Sequence, residues 1–168
     1  VGFLRRTDDI NNWLWNSIRI NEPGKLFRRQ RYNYFIEQNM DFGGVLTNLG
    51  MDLNGYWEFH NLWEFRTGLW METTSVSNAD LRGGPAIAYP GGINNWYRVE
   101  TNDQKKFYVG ARTRFWRGNE QSSYTNIFEF WMSYQPTNAL RISVNPEINH
   151  RQSELQYITQ FDSNGQND

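Results

Sequence analysis

Residues able to do acid–base or metal chemistry are few in this chain. His60 and His150 are the only histidines and stand ninety positions apart. A metal site would need both to converge with a carboxylate, and nothing in their spacing brings that about. Cysteine is absent, which removes thiolate nucleophiles, disulfides and cysteine metal sites together. No Gly-x-Ser-x-Gly elbow marks a nucleophilic serine. Gly83-Gly84 and Gly91-Gly92 lack the Lys-Ser/Thr and helix context of a phosphate-cradling loop. Glu58, Glu64, Glu72, Glu129 and Glu147 remain. Two carboxylates about 5 to 9.5 Å apart are what glycoside hydrolysis requires. The same alternating positions also carry Arg66, Arg112, Arg114 and Arg141, so cross-strand ion-pair ladders account for these glutamates more simply. The sequence therefore predicts no catalytic residue, no metal ligand and no cofactor.

Aromatic side chains are the better candidates for binding. Trp70, Trp96, Trp116 and Trp131 fall out of phase with the apolar positions of their segments. There they could stack on sugar rings or fill the interior of a barrel. Asp80 and Arg82 join them as candidate ligand residues, in a loop from Asp80 to Pro85 whose Gly83 and Gly84 allow backbone conformations closed to other residues. A second group, Trp57, Phe59, Trp63 and Phe65, flanks a short turn, where an interfacial aromatic belt belongs.

The elements that position these residues are strands. From Val45 the residues Val45, Thr47, Leu49, Met51, Leu53, Gly55, Trp57 and Phe59 alternate with Asn48, Gly50, Asp52, Asn54, Tyr56 and Glu58. After His60 and Asn61 the pattern restarts as Trp63, Phe65, Thr67, Leu69 and Met71. Period two places one apolar and one polar face on each strand. Two such runs across a minimal connection predict an antiparallel hairpin. Its arms, of about 12 to 15 residues, exceed the usual 5 to 6 of soluble strands and the 9 to 11 of a membrane-spanning one.

Alternation recurs along the chain. Strands are predicted around 12–20, 26–39, 94–101, 107–116, 127–135 and 140–149, with a last segment at 155–161. In the first, Trp13 and Trp15 oppose Leu14, Ile18 and Ile20, and Phe35 interrupts the polar face of the second. Pro146 donates no ladder hydrogen bond and predicts a bulge or a frayed edge. Thr73–Gly92 holds too much Gly and Pro for a regular strand and reads as a long loop. Short connections at 21–25, 60–61, 102–105 and 136–139 alternate with longer ones at 73–92 and 118–123, with 41–44 the odd member. Short turns at one end and long loops at the other are the pattern of an outer-membrane barrel.

Composition agrees. The chain has 168 residues, enough for one domain over 1–168, with 17 basic against 18 acidic residues. That balance gives no basic stripe for nucleic acid. It carries 8 tryptophans and 17% aromatic residues at a mean hydropathy of −0.79. An aromatic-girdled barrel with a polar inside reconciles a high aromatic load with a polar average. No apolar run reaches the roughly 18 residues of a transmembrane helix, and the opening Val1–Arg6 does not read as a signal peptide.

Particular segments resemble a known family. These are Val1-Gly2-Phe3-Leu4-Arg5-Arg6-Thr7-Asp8, Leu81-Arg82-Gly83-Gly84-Pro85 followed by Thr101-Asn102-Asp103-Gln104-Lys105-Lys106, and Tyr134-Gln135-Pro136-Thr137-Asn138-Ala139-Leu140. Over essentially the whole chain they resemble the outer-membrane barrel domain of unknown function that follows a family-9-like carbohydrate-binding domain, whose members often carry hydrolase or carbohydrate-binding names. The resemblance implies a segment internal to a longer protein, whose barrel continues past Asp168. Here the chain ends in Asn164-Gly165-Gln166-Asn167-Asp168 rather than in an aromatic-terminated strand.

The expectation is an all-β, up-and-down antiparallel meander of about eight strands, forming all or part of a transmembrane β-barrel in the bacterial outer membrane. Membrane lipid is the expected partner, with other outer-membrane proteins or glycans beside it and no nucleic acid. The expected role is envelope transport, glycan handling or anchoring of a preceding domain, without a catalytic site. Two alternatives stay open: a soluble, Trp-rich β-sandwich that binds carbohydrate, and a glycan hydrolase. A sandwich also presents one apolar face per strand, so alternation alone does not separate it from a barrel.

Overall fold

The structure, a computed structural model, describes residues 8–77, 86–120 and 123–153. Alternating residues build seven long strands: β1 (Asp9–Ile20), β2 (Phe27–Asp41), β3 (Leu46–Phe59), β4 (Glu64–Glu72), β7 (Gly92–Glu100), β8 (Phe107–Gly118) and β9 (Tyr124–Thr137). Two shorter strands, β10 (Leu140–Val144) and β11 (Glu147–Gln152), both pair with β9. All belong to one nine-stranded antiparallel sheet in the order β1-β2-β3-β4-β7-β8-β9, with β10 and β11 sharing the eighth position. The meander is therefore as expected. The closed barrel is not seen, because β1 and the β10/β11 position each keep an unpaired edge among the described residues.

Three local expectations are corrected, the third at the β3–β4 turn. The 73–92 stretch is not all loop: β5 (Ser75–Ser77) and β6 (Ile87–Tyr89) pair as a small separate hairpin. Its glycines and prolines punctuate the chain without preventing three-residue strands. The alternation at 140–149 is not one strand either. It breaks at Asn145 and Pro146, where proline has no N–H to give the ladder, though its carbonyl still accepts from the Phe130 amide at 3.1 Å. The predicted segment at 155–161 and the 80–85 loop, with Asp80 and Arg82, lie outside the described residues.

Turns follow local chemistry. At the β2–β3 connection the Asp41 carboxylate accepts from the Val45 amide at 2.9 Å, and Gly44 takes φ +82°. The β3–β4 connection is four residues rather than two. Phe59 donates to the Trp63 carbonyl at 2.8 Å, and Leu62 sits at φ 63°. A leucine in the left-handed region is strained.

Register sorts side chains onto two faces. Leu49, Met51, Leu53, Trp57, Phe65, Leu69 and Met71 share one, through the direct pairs Met51–Met71, Leu53–Leu69 and Trp57–Phe65. Tyr34, Ile36, Ile93, Val99, Phe128, Phe130 and Ile148 extend the same face across the sheet. No hydrophobic side chain among the described residues is buried. The buried side chains are polar instead: Asp41, Thr47, Glu58, Glu100, Asn102 and Ser123. No described helix is long and apolar enough to cross a membrane, which says nothing about strands.

Candidate functional site on the charged face

On the other face, register stacks charge in rows. Glu58, Glu64 and Glu100 stand directly opposite one another across β3, β4 and β7. Two residues along each strand runs a second row: Arg19, Arg31, Tyr56, Arg66, Arg98, Arg112, Glu129 and Glu147, from β1 to β11. Like charges directly opposite repel, so neither row would be stable alone. Interleaving offsets much of this. Arg66 pairs with Glu64, Arg98 Nε lies 2.6 Å from Glu100 Oε1, and Arg112 Nε donates to Glu129 Oε2 at 2.6 Å.

Glu58 is the centre of one end of this face. Its side chain is only 3% exposed, and a carboxylate so desolvated must be paired and hydrogen-bonded. Arg28 reaches Oε1 at 2.6 Å, Arg29 Nε donates to Oε2 at 2.9 Å, and the Tyr56 hydroxyl donates to Oε2 at 2.9 Å. That hydroxyl also lies 3.1 Å from Glu64. The guanidinium carbons of Arg31 and Arg66 sit 5.5 and 5.2 Å from the centre of the Tyr56 ring. At the next strands Tyr108 donates to Glu100, and Arg98 stacks on Trp131 at 4.7 Å.

The four tryptophans named from the sequence occupy equivalent places. A β-carbon added to Gly50 would fall 2.5 Å from Trp70; at Gly68, 2.4 Å from Trp96; at Gly92, 3.0 Å from Trp116; at Gly110, 2.3 Å from Trp131. Each indole thus covers a glycine of the preceding strand in the sheet. Trp70 also stacks with Phe35 at 6.5 Å, which gives that out-of-phase phenylalanine a partner, and donates to Glu72 at 3.2 Å. The four are spread over four strands and do not line one pocket together. Trp131 alone lines a 660 Å³ cavity beside Arg98, Tyr108 and Glu129, and Trp116 a 330 Å³ one beside Glu120 and Arg151.

The turn-flanking aromatics do gather. Trp57 stacks on Phe65 at 5.6 Å and donates to the Tyr32 hydroxyl at 3.1 Å, while Phe59 packs against Phe27 at 5.1 Å. Trp63 lies in the connection itself, 45% exposed. The histidines stay apart. His60 Nε2 is 2.9 Å from the Gly24 carbonyl, and His150 Nε2 is 3.2 Å from the Tyr124 hydroxyl, towards the other end of the strands. Among the described residues no three potential metal ligands cluster. Of the five glutamates considered for hydrolysis, Glu58, Glu64 and Glu129 are engaged by arginines, Glu72 accepts from the Trp70 indole, and Glu147 stands exposed opposite Glu129.

The sequence marks Arg28, Arg29 and Arg31 only as a basic cluster of solvated or lumen charges, and gives no site role to Tyr56, Tyr108 or the glycine under each tryptophan. The signal was present as matched parity, Arg or Tyr two residues from Glu in successive strands, but it becomes a contact only once the register is known.

No curated protein and no solved structure matches the chain. Residues 1–167 match the family described as a domain of unknown function, DUF5916, and the chain belongs to that family.

Proposed function

We propose that this domain is a stretch of outer-membrane β-barrel wall, with its apolar face against lipid and its charged face towards the lumen, and that it has no catalytic role. The supporting observation is an inversion of burial. Leu53, Phe128, Phe130, Val99, Ile142 and Ile148 are exposed while Glu58 and Glu100 are buried. In water, apolar area costs about 25 cal/mol per Å² to expose, so a contiguous face of such residues calls for a hydrocarbon neighbour. Strand length fits: the seven long strands run from 9 to 15 residues, against the roughly 9 to 11 needed to cross a bilayer. The Trp57–Phe65–Tyr32 cluster near the short β3–β4 connection suits an interfacial girdle.

Within that wall the role we favour is passage or holding of polar solutes such as glycans. Trp13 and Trp15 support it, because both lie on the charged face, 70% and 52% exposed, where indoles can stack on sugar rings. Trp70, Trp96, Trp116 and Trp131 line the same face and remain candidates. Fractionating cells that express the protein carrying this domain tests the reading. It should sediment with outer membranes and require detergent for release. Recovery in the aqueous supernatant would favour the soluble carbohydrate-binding module instead.

A further inference from the structure

The arginine row is compensated along most of its length but not at its β1–β2 end. Arg66, Arg98 and Arg112 each have a glutamate partner. Arg19 and Arg31 stand directly opposite each other, and among the described residues neither pairs with a carboxylate. Two like charges in direct cross-strand opposition are unfavourable without a counter-charge. Between them and the β4 arginine lies a cavity of about 340 Å³, lined by Arg19, Asn21, Arg29, Arg31, Tyr56 and Arg66. Its volume is at the small end for small-molecule sites. The Tyr56 ring holds the Arg31 and Arg66 guanidiniums near it, while Arg29 is oriented by Glu58 and Arg66 by Glu64.

We propose that this cavity is a binding site for an oxyanion, the phosphate, sulfate or carboxylate group of a small soluble solute. Arg19 and Arg31 supply the uncompensated charge. Guanidinium forks match the geometry of such groups and bind them through paired, charge-assisted hydrogen bonds. Arg29 and Arg66, each already paired with a glutamate, can add only their remaining N–H donors, and Asn21 adds a neutral polar group at the rim. The site stands on the charged face, so it does not depend on what covers the apolar one.

Calorimetric titration of the detergent-purified protein carrying this domain tests it, with phosphate, sulfate and glucuronate as probes and chloride at matched ionic strength as reference. Saturable binding of at least one oxyanion above the chloride baseline is expected. Arg31→Gln and Arg19→Gln should each weaken it about tenfold, the loss of one charge-assisted contact, while Arg114→Gln leaves it unchanged. Circular dichroism checks that each variant keeps its strand content; Arg19→Gln, on the edge strand, reads the site if Arg31→Gln does not fold. Binding no better than chloride, or equal in both variants, overturns the proposal. So does binding found only when phosphatidylglycerol is titrated in mixed micelles as a further arm, which would make the ligand a membrane component.

Discussion

The indole of Trp96 lies across Gly68, its direct partner in the register between β4 and β7. The same relationship joins Trp131 to Gly110, its partner between β8 and β9. Glycine in a strand interior costs backbone entropy and leaves a gap on the sheet. A large ring from the next strand fills that gap, the compensation known as aromatic rescue.

A methyl group at Gly68 or Gly110 would collide with the ring above it. Gly68→Ala and Gly110→Ala should each destabilise the fold by about 1 to 3 kcal/mol, the usual range for overpacking. Gly24→Ala, whose β-carbon would meet only the Phe27 carbonyl at 3.8 Å, should stay within about 0.5 kcal/mol of the parent. Urea unfolding midpoints compare the three. Equal midpoints would mean that the indoles are not seated on the glycines.

Glu58 bridges Arg28 and Arg29 from a nearly solvent-free position. Breaking a buried pair by removing one partner costs about 3 to 5 kcal/mol, but the two arginines are 45% and 50% exposed and can rehydrate. Glu58→Gln should therefore cost less, about 1 to 3 kcal/mol. Glu147→Gln, on exposed β11, should have no measurable effect. Thermal unfolding of both variants distinguishes a structural carboxylate from a surface one.

Leu62 is the one non-glycine residue with positive φ among those described. The left-handed conformation costs leucine about 1 to 2 kcal/mol. Glycine escapes that cost but loses about 0.5 to 1 kcal/mol through its freer unfolded chain. Leu62→Gly should leave the protein equally stable or up to about 1.5 kcal/mol more stable. A loss larger than 1 kcal/mol would show that the leucine side chain contributes packing that outweighs its backbone strain.

Much of this architecture is legible in the sequence. Period-two runs such as 45–59 mark strands because apolar side chains cannot serve both faces, and β3 begins one residue after Val45 and ends at Phe59, where the run ends. Trp13 and Trp15 blurred the first strand because both indoles belong to the charged face there. What local sequence hides is register. Opposition of Arg19 to Arg31, or of Gly68 to Trp96, depends on turn lengths and bulges accumulated over two strands. The pairing of β5 with β6 was hidden for another reason: three-residue strands among glycines and prolines leave too short a pattern to read. Pro146 predicts a bulge or a frayed edge, and the structure instead divides the run into two strands on one neighbour.

Orientation of the apolar face is the central claim. A substitution tests it energetically: Leu53→Arg, mid-strand on that face, should cost about 2 to 4 kcal/mol in lipid, whereas Asn149→Arg on the charged face should cost far less. Folded fractions after reconstitution into vesicles give the comparison.

The most direct measurement places a fluorescent label in turn at positions 49 to 54 of β3 in the membrane-reconstituted protein and quenches it from lipid and from water. Lipid-borne quencher should reach labels at Leu49, Met51 and Leu53 but not those at Gly50, Asp52 and Asn54, a period of two. Labels at Leu49, Met51 and Leu53 shielded from lipid, or open to the aqueous quencher, would contradict the membrane-wall account.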